Sequence, residues 1–149
     1  MFPTTTTILG TGSYLPRTCL TSDEIDTRMG WPSGQSLSRF GLHARHVASD
    51  DETSSYMAVR AAERALEMAG CRADELDLIV GACGVMEQPI PSTAVLVQDR
   101  LGLASSGIPA FDVNATCLSF LQALDLAGMW LDAKRARRVL VFSADIASV

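Results

Sequence analysis

Apolar residues are distributed along this chain in two alternating patterns, short continuous runs and longer stretches with helical spacing. Continuous runs of about four to eight residues are typical of buried strands, whereas apolar positions that recur about once per helical turn indicate an amphipathic helix. The sequence therefore predicts strands at Thr6–Gly12, Leu76–Val80, Ile108–Val113 and Val139–Ala144. It predicts helices from Ser22 or Asp23 to Met29, from Thr53 to Ala69, from Pro91-Ser92-Thr93 to Leu101, and from Cys117 to Leu131.

The alternation of strand and helix determines the expected fold class. Strands that are apolar throughout must be covered on both faces, and the helices that connect parallel strands pack on the sheet. We therefore predict an α/β fold with a mostly parallel sheet covered by helices. Reactive groups in such folds gather at the carboxyl ends of the strands.

Two of the predicted helices have distinctive apolar faces. The helix at Thr53–Ala69 carries a stripe made almost wholly of alanine, which predicts close packing on a sheet. Gly70 follows it as a C-terminal cap. The stripe consists of Ala58, Ala61, Ala62, Ala65, Leu66 and Ala69. The helix from Cys117 is apolar on nearly all sides, which predicts that it lies inside a larger body.

Composition and charge narrow the classes of function. The chain has 149 residues, of which 48% are hydrophobic, and this is enough for the core of one domain. Its net charge of −5 leaves no basic stripe, so we predict that nucleic acid is not a partner. We expect no membrane association, because no apolar run reaches membrane-spanning length and the first residues lack the pattern of a secretory signal.

The cysteines are scattered along the chain, at Cys19, Cys71, Cys83 and Cys117. They form no CxxC pair and no cluster with histidine at zinc spacing, so no metal site is expected. Cys83 follows the second predicted strand and is expected in the core. The pattern is typical of a reduced protein, and we expect a cytoplasmic location.

Cys117 lies where the third predicted strand turns into the long apolar helix. The first turn of a helix has unpaired N–H groups and the positive end of the helix dipole, and both favour a thiolate nucleophile. A free cysteine is more often a small buried hydrophobe. Here small Ala115 and Thr116 leave room for a substrate, and Asn114 and Thr116 are able to cap the helix, so catalysis is the favoured interpretation.

Four motifs occur in order along the chain, namely ILGTGSYLP at 8–16, SRFGLHARH at 38–46, PSTA at 91–94 and FDVNATC at 111–117. Together they resemble the N-terminal half of a beta-ketoacyl-acyl-carrier-protein synthase III. The resemblance spans nearly the whole chain, and both the order and the spacing of the motifs match. The first motif alone is weak, because it lacks the third glycine of a dinucleotide-binding fingerprint.

The resemblance implies a thiolase fold of two similar α/β halves that acts as a homodimer on acyl thioesters. Residues 1–149 are then the N-terminal half, without the C-terminal half. In this family a cysteine thiolate takes the acyl group from acyl-CoA and passes it to the carbanion formed when malonyl-acyl-carrier-protein loses carbon dioxide. Cys117 matches this nucleophile, and its own N–H is expected to be one donor to the developing oxyanion. No permanently bound cofactor is implied.

The resemblance also assigns roles to two other positions. Arg39 matches an arginine near the coenzyme A nucleotide, where a planar guanidinium suits phosphate or adenine. A plain surface arginine in a polar loop is nearly as good an interpretation. Ile90 matches a position that reaches across the dimer to line the acyl pocket of the second subunit.

The chain departs from the family pattern in two respects. The family commonly has a tryptophan that stacks on adenine one helical turn before the arginine, but Gln35 stands there and the nearest tryptophan is Trp31. The family's catalytic histidine and asparagine belong to the second half. His43 and His46 do not match that histidine and are expected to be structural or surface groups. The chain alone is therefore expected to be inactive in condensation.

Three other functions remain open on the sequence. Synthases that join two long acyl chains head to head have a similar Cys-Leu-Ala-Phe run, but they place a glutamate directly before Pro-Ser-Thr. This chain has Ile90 at that position, with Glu87 close by. The chain also fits a non-catalytic dimerising half, or a nucleotide-binding α/β module that uses the loop after Gly10. Rapid labelling of Cys117 indicates the enzyme, and tight binding of NAD without such labelling indicates the module.

Overall fold

A computed structural model describes residues 6–146 of the chain. The contacts within it divide these residues into two compact units. The small unit comprises residues 15–52, and the large unit comprises residues 6–14 and 53–146. Each unit is described by itself.

The small unit is built on a pair of antiparallel strands with two short helices between them in sequence. Its elements in order are β1 (Thr18–Thr21), α1 (Ser22–Met29), α2 (Gln35–Phe40) and β2 (Ala44–Val47). The sequence pattern predicts only α1, because both strands are short and mostly exposed and so lack a continuous apolar run. α2 occupies a stretch that the pattern predicts to be a loop.

Side-chain hydrogen bonds determine where the two helices begin. Thr21 and Glu24 form a capping box, in which each side chain accepts the backbone N–H of the other residue. α1 therefore begins at Ser22, within the predicted choice, but its cap is Thr21 and neither Ser22 nor Asp23. Asp26 is fully buried and accepts both the N–H and the hydroxyl of Ser36, which joins α1 to the start of α2.

The large unit contains, within its described residues, a parallel sheet of three strands. Its elements in order are α3 (Ser54–Ala69), β3 (Leu78–Gly81), α4 (Thr93–Arg100), β4 (Ala110–Asp112), α5 (Ser119–Asp132) and β5 (Val139–Phe142). β3 lies in the middle, with Ile79 opposite Ala110 of β4 and Leu140 of β5. The predicted α/β class and the parallel sheet are confirmed.

Helices cover both faces of this sheet. α3 and α4 pack on one face, around Ile79 and Leu140, and α5 packs on the other, around Leu78 and Val80. Cys83 has no exposed surface, as predicted for a core cysteine. Because the strands are parallel, the loops that follow β3 and β4 leave the sheet at the same edge.

The segment Thr6–Gly12 does not form the predicted strand. In the described part of the chain no strand pairs with it, and a cavity of about 410 Å³ is lined by both this segment and β5. A strand needs a neighbour for its backbone hydrogen bonds, so an apolar run alone does not produce one.

The glycines of this segment pack instead on the alanine stripe of α3. A Cβ added at Gly10 would lie 2.3 Å from the carbonyl oxygen of Ala65. A Cβ added at Gly12 would lie 2.1 Å from the carbonyl oxygen of Ala61. The close packing predicted for the stripe is therefore present, against a glycine backbone as well as against the sheet.

Candidate active site

Cys117 lies on a tight turn between β4 and α5. A single 3₁₀ turn spans Thr116–Leu118, and α5 begins at Ser119. The prediction that the helix begins at Cys117 is therefore corrected by two positions. The Cys117 side chain is exposed.

The conformation of Thr116 explains this later start of the helix. Its φ is 53°, in the left-handed region, which is costly for a β-branched residue. Asn114 Oδ1 accepts the Thr116 N–H at 3.0 Å, as expected for a local cap. The buried Ser119 hydroxyl accepts the Ala115 N–H at 2.9 Å and donates to the Thr116 carbonyl at 2.7 Å. These bonds hold the turn and keep Cys117 ahead of the helix.

The backbone N–H of Cys117 is left open by this arrangement. The N–H of Thr116 is bonded to Asn114, and the N–H of Leu118 is bonded to the Ala115 carbonyl at 3.1 Å. In the described part of the chain, no acceptor is bonded to the N–H of Cys117. An exposed thiol and a free N–H therefore belong to the same residue. This residue lies just before the N-terminal end of α5, where the helix dipole favours negative charge.

The loop that carries Ile90 follows β3 and lies beside this turn. A Cβ added at Gly84, near the start of the loop, would lie 3.6 Å from the Thr116 carbonyl oxygen. Asn114 Nδ2 donates to the Gly84 carbonyl at 3.4 Å. Ile90 itself is 87% exposed and precedes a cis peptide bond to Pro91. Its role in an acyl pocket stays a prediction.

Asp112, at the end of β4, is a residue that the sequence analysis missed. Its carboxylate oxygens accept the N–H groups of Thr93 and Ala94, each at 2.8 Å, at the start of α4. The sequence predicts Ser92 or Thr93 as the cap of this helix, and Ser92 does occupy the N-cap position. Among the described residues, however, the Ser92 side chain makes no cap bond and the buried Thr93 Oγ1 has no partner. The sequence did contain a signal for this residue, because Asp112 is a carboxylate within the otherwise apolar run of a predicted strand.

Arg39 lies in the small unit, in the last turn of α2. Its guanidinium carbon is 5.4 Å from the centre of the Phe40 ring, and the centres of the Phe40 and Trp31 rings are 5.9 Å apart. Trp31 is therefore linked to the arginine through Phe40, while Gln35 is the first residue of α2. The role of Arg39 at coenzyme A stays a prediction.

Both histidines lie in the small unit and are exposed. His46 Nδ1 lies 2.6 Å from the carbonyl oxygen of Pro16. The backbone carbonyl of His43 accepts the N–H of Ser22 at 3.0 Å. These contacts fit the structural and surface roles predicted for them.

Cys83 and Cys117 lie in opposite environments. Burial raises the pKa of the Cys83 thiol to about 11, so this thiol is protonated at neutral pH. Its sulfur lies 3.8 Å from the Ala144 carbonyl oxygen. A protonated, buried thiol is a poor nucleophile. Of these two cysteines, only Cys117 is accessible to a substrate.

α5 is buried on its sheet side only. Ala123 and Ala127 are buried against the sheet. Large apolar side chains on and just before the helix are exposed, namely Leu118, Phe120, Leu121 and Met129. The predicted burial on nearly all sides is therefore absent from the described part of the chain. None of the helices described here has both the length and the hydropathy of a membrane span.

Known proteins resemble this chain in both sequence and structure. The family model for 3-oxoacyl-[acyl-carrier-protein] synthase III matches residues 111–149, which include the Cys117 turn. A curated beta-ketoacyl-[acyl-carrier-protein] synthase III from Laribacter hongkongensis is 43% identical over 141 residues, or 95% of this chain and 44% of that protein. By sequence, the chain corresponds to the N-terminal half of the synthase III enzymes that it resembles.

Solved structures of a synthase III and of a priming beta-ketosynthase agree with this likeness. The enzyme from Aquifex aeolicus is 39% identical, with a TM-score of 0.81 over 91% of this chain and 43% of that chain. The priming beta-ketosynthase of the R1128 polyketide biosynthetic pathway is 33% identical, with a TM-score of 0.81 over 91% of this chain and 40% of that chain. These matches confirm the thiolase-like fold. The chain spans less than half the length of these relatives.

Proposed function

We propose that residues 1–149 are the N-terminal half of an acyltransferase that forms a carbon–carbon bond by decarboxylative Claisen condensation. The observation that carries the proposal is the Cys117 turn just before α5, where an exposed thiol occurs together with an N–H that has no acceptor among the described residues. The family resemblance supplies the substrate classes, an acyl-CoA and malonyl-acyl-carrier-protein.

In the first step, the Cys117 thiolate attacks the thioester carbonyl of an acyl-CoA. The carbonyl oxygen becomes an oxyanion and accepts the free N–H of Cys117. Collapse of the tetrahedral adduct breaks the carbon–sulfur bond to coenzyme A, which leaves as a thiolate, and the acyl group remains as a thioester on Cys117.

In the second step, malonyl-acyl-carrier-protein loses carbon dioxide, and the resulting carbanion attacks the acyl carbonyl on Cys117. A carbon–carbon bond forms, and the bond between the acyl carbon and the Cys117 sulfur breaks. The family's histidine and asparagine for decarboxylation belong to the second half. The chain alone is therefore expected not to condense, whereas acylation of Cys117 is a separate, measurable step.

The remaining roles follow the same resemblance. Arg39 is proposed to contact the nucleotide of coenzyme A, with Trp31 and Phe40 packed beside it. Ile90 is proposed to line the acyl pocket of the second subunit of a homodimer, where its bulk limits the acyl chain. We further propose that the enzyme works in the cytoplasm with an acyl-carrier protein as partner, without a permanently bound cofactor and without binding nucleic acid or membrane.

The environment of Glu87 favours this proposal over head-to-head joining of two acyl chains. Its carboxylate accepts the N–H of Ser55 at 2.6 Å, so it caps the start of α3. Head-to-head synthases place a glutamate directly before Pro-Ser-Thr, where this chain has Ile90. The Ser55 bond directs one carboxylate oxygen of Glu87 to α3, and Ile90 offers no carboxylate in its place.

The packing of Gly10 and Gly12 favours the enzyme over a nucleotide-binding module. Dinucleotide-binding loops use glycine so that the pyrophosphate approaches the backbone. Here the space beside both glycines is filled by the α3 backbone. These glycines therefore serve helix packing.

The proposal is tested by intact-mass measurement after the complete protein is mixed with a panel of acyl-CoAs. We expect an acyl adduct with at least one of them, abolished by Cys117→Ala. Cys19→Ala is the matched control, because Cys19 is another exposed cysteine and its loss should leave the adduct intact. Absence of an adduct across the whole panel would overturn the acyl-transfer function.

A further inference from the structure

We infer that Asp112 is a positioning residue that sets the place of the Ile90 loop, residues 82–92, and so tunes which acyl chains react in the second subunit's pocket that Ile90 is proposed to line. The inference rests on the proposed function. It assigns to one carboxylate of β4 the task of fixing the end of this loop.

The geometry of the carboxylate is specific. Both oxygens of Asp112 are bonded, one to the N–H of Thr93 and the other to the N–H of Ala94, each at 2.8 Å. Hydrogen bonds of N–H groups to a carboxylate are about twice as strong as those between neutral groups. The start of α4 is therefore held by a residue of β4.

Gly81 makes room for this carboxylate. Gly81 lies opposite Asp112 in the parallel pair of β3 and β4. A Cβ added at Gly81 would lie 2.2 Å from Asp112 Oδ1, so a side chain at this position would displace the carboxylate. Because Gly81 has no side chain, the Asp112 carboxylate fits beside β3 and accepts the N–H groups of α4.

No local cap competes with Asp112. Ser92 is in the cap position, but its side chain makes no cap bond, and the buried hydroxyl of Thr93 has no partner in the described residues. Most helices are capped by their own N-cap side chain. Here the position of the helix start, and of Ile90 just before it, depends on a strand that is distant in sequence.

The Ile90 loop is attached at both ends to the segment that leads to Cys117. At its start, the Gly84 carbonyl accepts from Asn114 Nδ2 at 3.4 Å. At its end, Thr93 is bonded to Asp112. Asn114 also accepts the N–H of Thr116, which precedes Cys117. A shift at Asp112 therefore moves Ile90 at the end of the loop, while Asn114 still holds the Cys117 turn.

The test compares Asp112→Asn with Asp99→Asn in the complete protein. Asp99 lies in the last turn of the same helix and is exposed, so its variant makes the same charge change without touching the loop. The rates of Cys117 acylation by acetyl-CoA and by octanoyl-CoA are measured by intact mass. We expect Asp112→Asn to change the ratio of the two rates about fivefold to tenfold, and Asp99→Asn to leave it unchanged.

Two further measurements separate positioning from general destabilisation. Loss of folded protein lowers both acylation rates equally and leaves their ratio as it was. The rate of Cys117 alkylation by iodoacetamide should stay within twofold of wild type, because the thiol turn has its own bonds. Gly81→Ala, which displaces the carboxylate without removing it, should shift the ratio in the same direction.

The outcomes distinguish this inference from the proposed function. If wild-type protein is acylated but the ratio in both Asp112→Asn and Gly81→Ala stays within twofold of wild type, Asp112 has a structural role only and the inference is overturned. If wild-type protein is not acylated by any acyl-CoA, the proposed function fails, and the inference fails with it.

Discussion

Ser119, the first residue of α5, holds Thr116 in a left-handed conformation through a bond from its buried hydroxyl to the Thr116 carbonyl at 2.7 Å. The same hydroxyl accepts the N–H of Ala115. One side chain therefore stabilises the turn that presents Cys117.

Replacing Ser119 with Ala should destabilise the protein and disturb the nucleophile. The change leaves the Ala115 N–H without its partner, and such a loss costs about 1 to 3 kcal/mol of unfolding free energy. Urea unfolding measures this cost, and alkylation of Cys117 by iodoacetamide should slow in parallel. Ser38→Ala removes an exposed hydroxyl on α2 and serves as the control, with no change expected in either measurement. Equal behaviour of the two variants would contradict the role of Ser119.

Cys117 and Cys83 should differ in their labelling by iodoacetamide at neutral pH. Cys83 is protonated below its pKa of about 11, because burial disfavours its charged form, and the fold also blocks reagents. We expect iodoacetamide to label Cys117 at neutral pH, whereas Cys83 stays unlabelled until the pH approaches 11 or the protein unfolds. Peptide mass mapping after timed labelling checks this. Labelling of Cys83 as fast as that of Cys117 at neutral pH would contradict it.

Asp77 should contribute stability that is lost in acid. Its carboxylate accepts the N–H groups of Arg137 at 2.7 Å and of Arg138 at 3.0 Å, and these bonds lower its pKa below the ordinary 3.8. A carboxyl group whose pKa is lowered by folding stabilises the native state above its unfolded pKa, and this stabilisation disappears as the pH falls through the folded value.

We therefore expect Asp77→Asn to reduce the unfolding free energy by about 1 to 3 kcal/mol at pH 7. The difference from wild type should shrink steadily below pH 3.8, as Asp77 of the wild type becomes protonated. Urea titrations across this range measure it. Asp132→Asn, at the exposed end of α5, is the control. A difference that grew in acid would show the opposite linkage.

Because Gly12 packs directly on the backbone of α3, replacing Gly12 with alanine should destabilise the fold. Gly12→Ala places a Cβ 2.1 Å from a backbone carbonyl of α3, so one of the two backbones has to move. Overpacking of this kind costs about 1 to 3 kcal/mol. Gly84→Ala is the matched control, because its nearest neighbour atom lies 3.6 Å away in ordinary contact. Thermal unfolding should show a clear drop for the first variant and little change for the second.

The elements with strong periodic patterns are those that the sequence predicts well. α3 begins one residue after the predicted start and ends where predicted, because Thr53 caps it and Gly70 ends it. β3, β4 and β5 lie in or overlap the predicted strands, because continuous apolar runs of this kind are stable only in a covered parallel sheet. The exposed β1 and β2 have no such pattern, and they form only because each supplies the other's hydrogen bonds.

By itself, the sequence determined the α/β class, the core position of Cys83 and the junction at Cys117, since apolar spacing and capping residues act over a few neighbouring positions. Only the tertiary structure decided that Thr6–Gly12 packs on α3 without forming a strand, that Asp112 caps α4, and that Ser119 holds the Cys117 turn. The first two depend on contacts between groups far apart in the chain. The third depends on a left-handed residue whose cost is met by the surrounding bonds, and no local propensity predicts it.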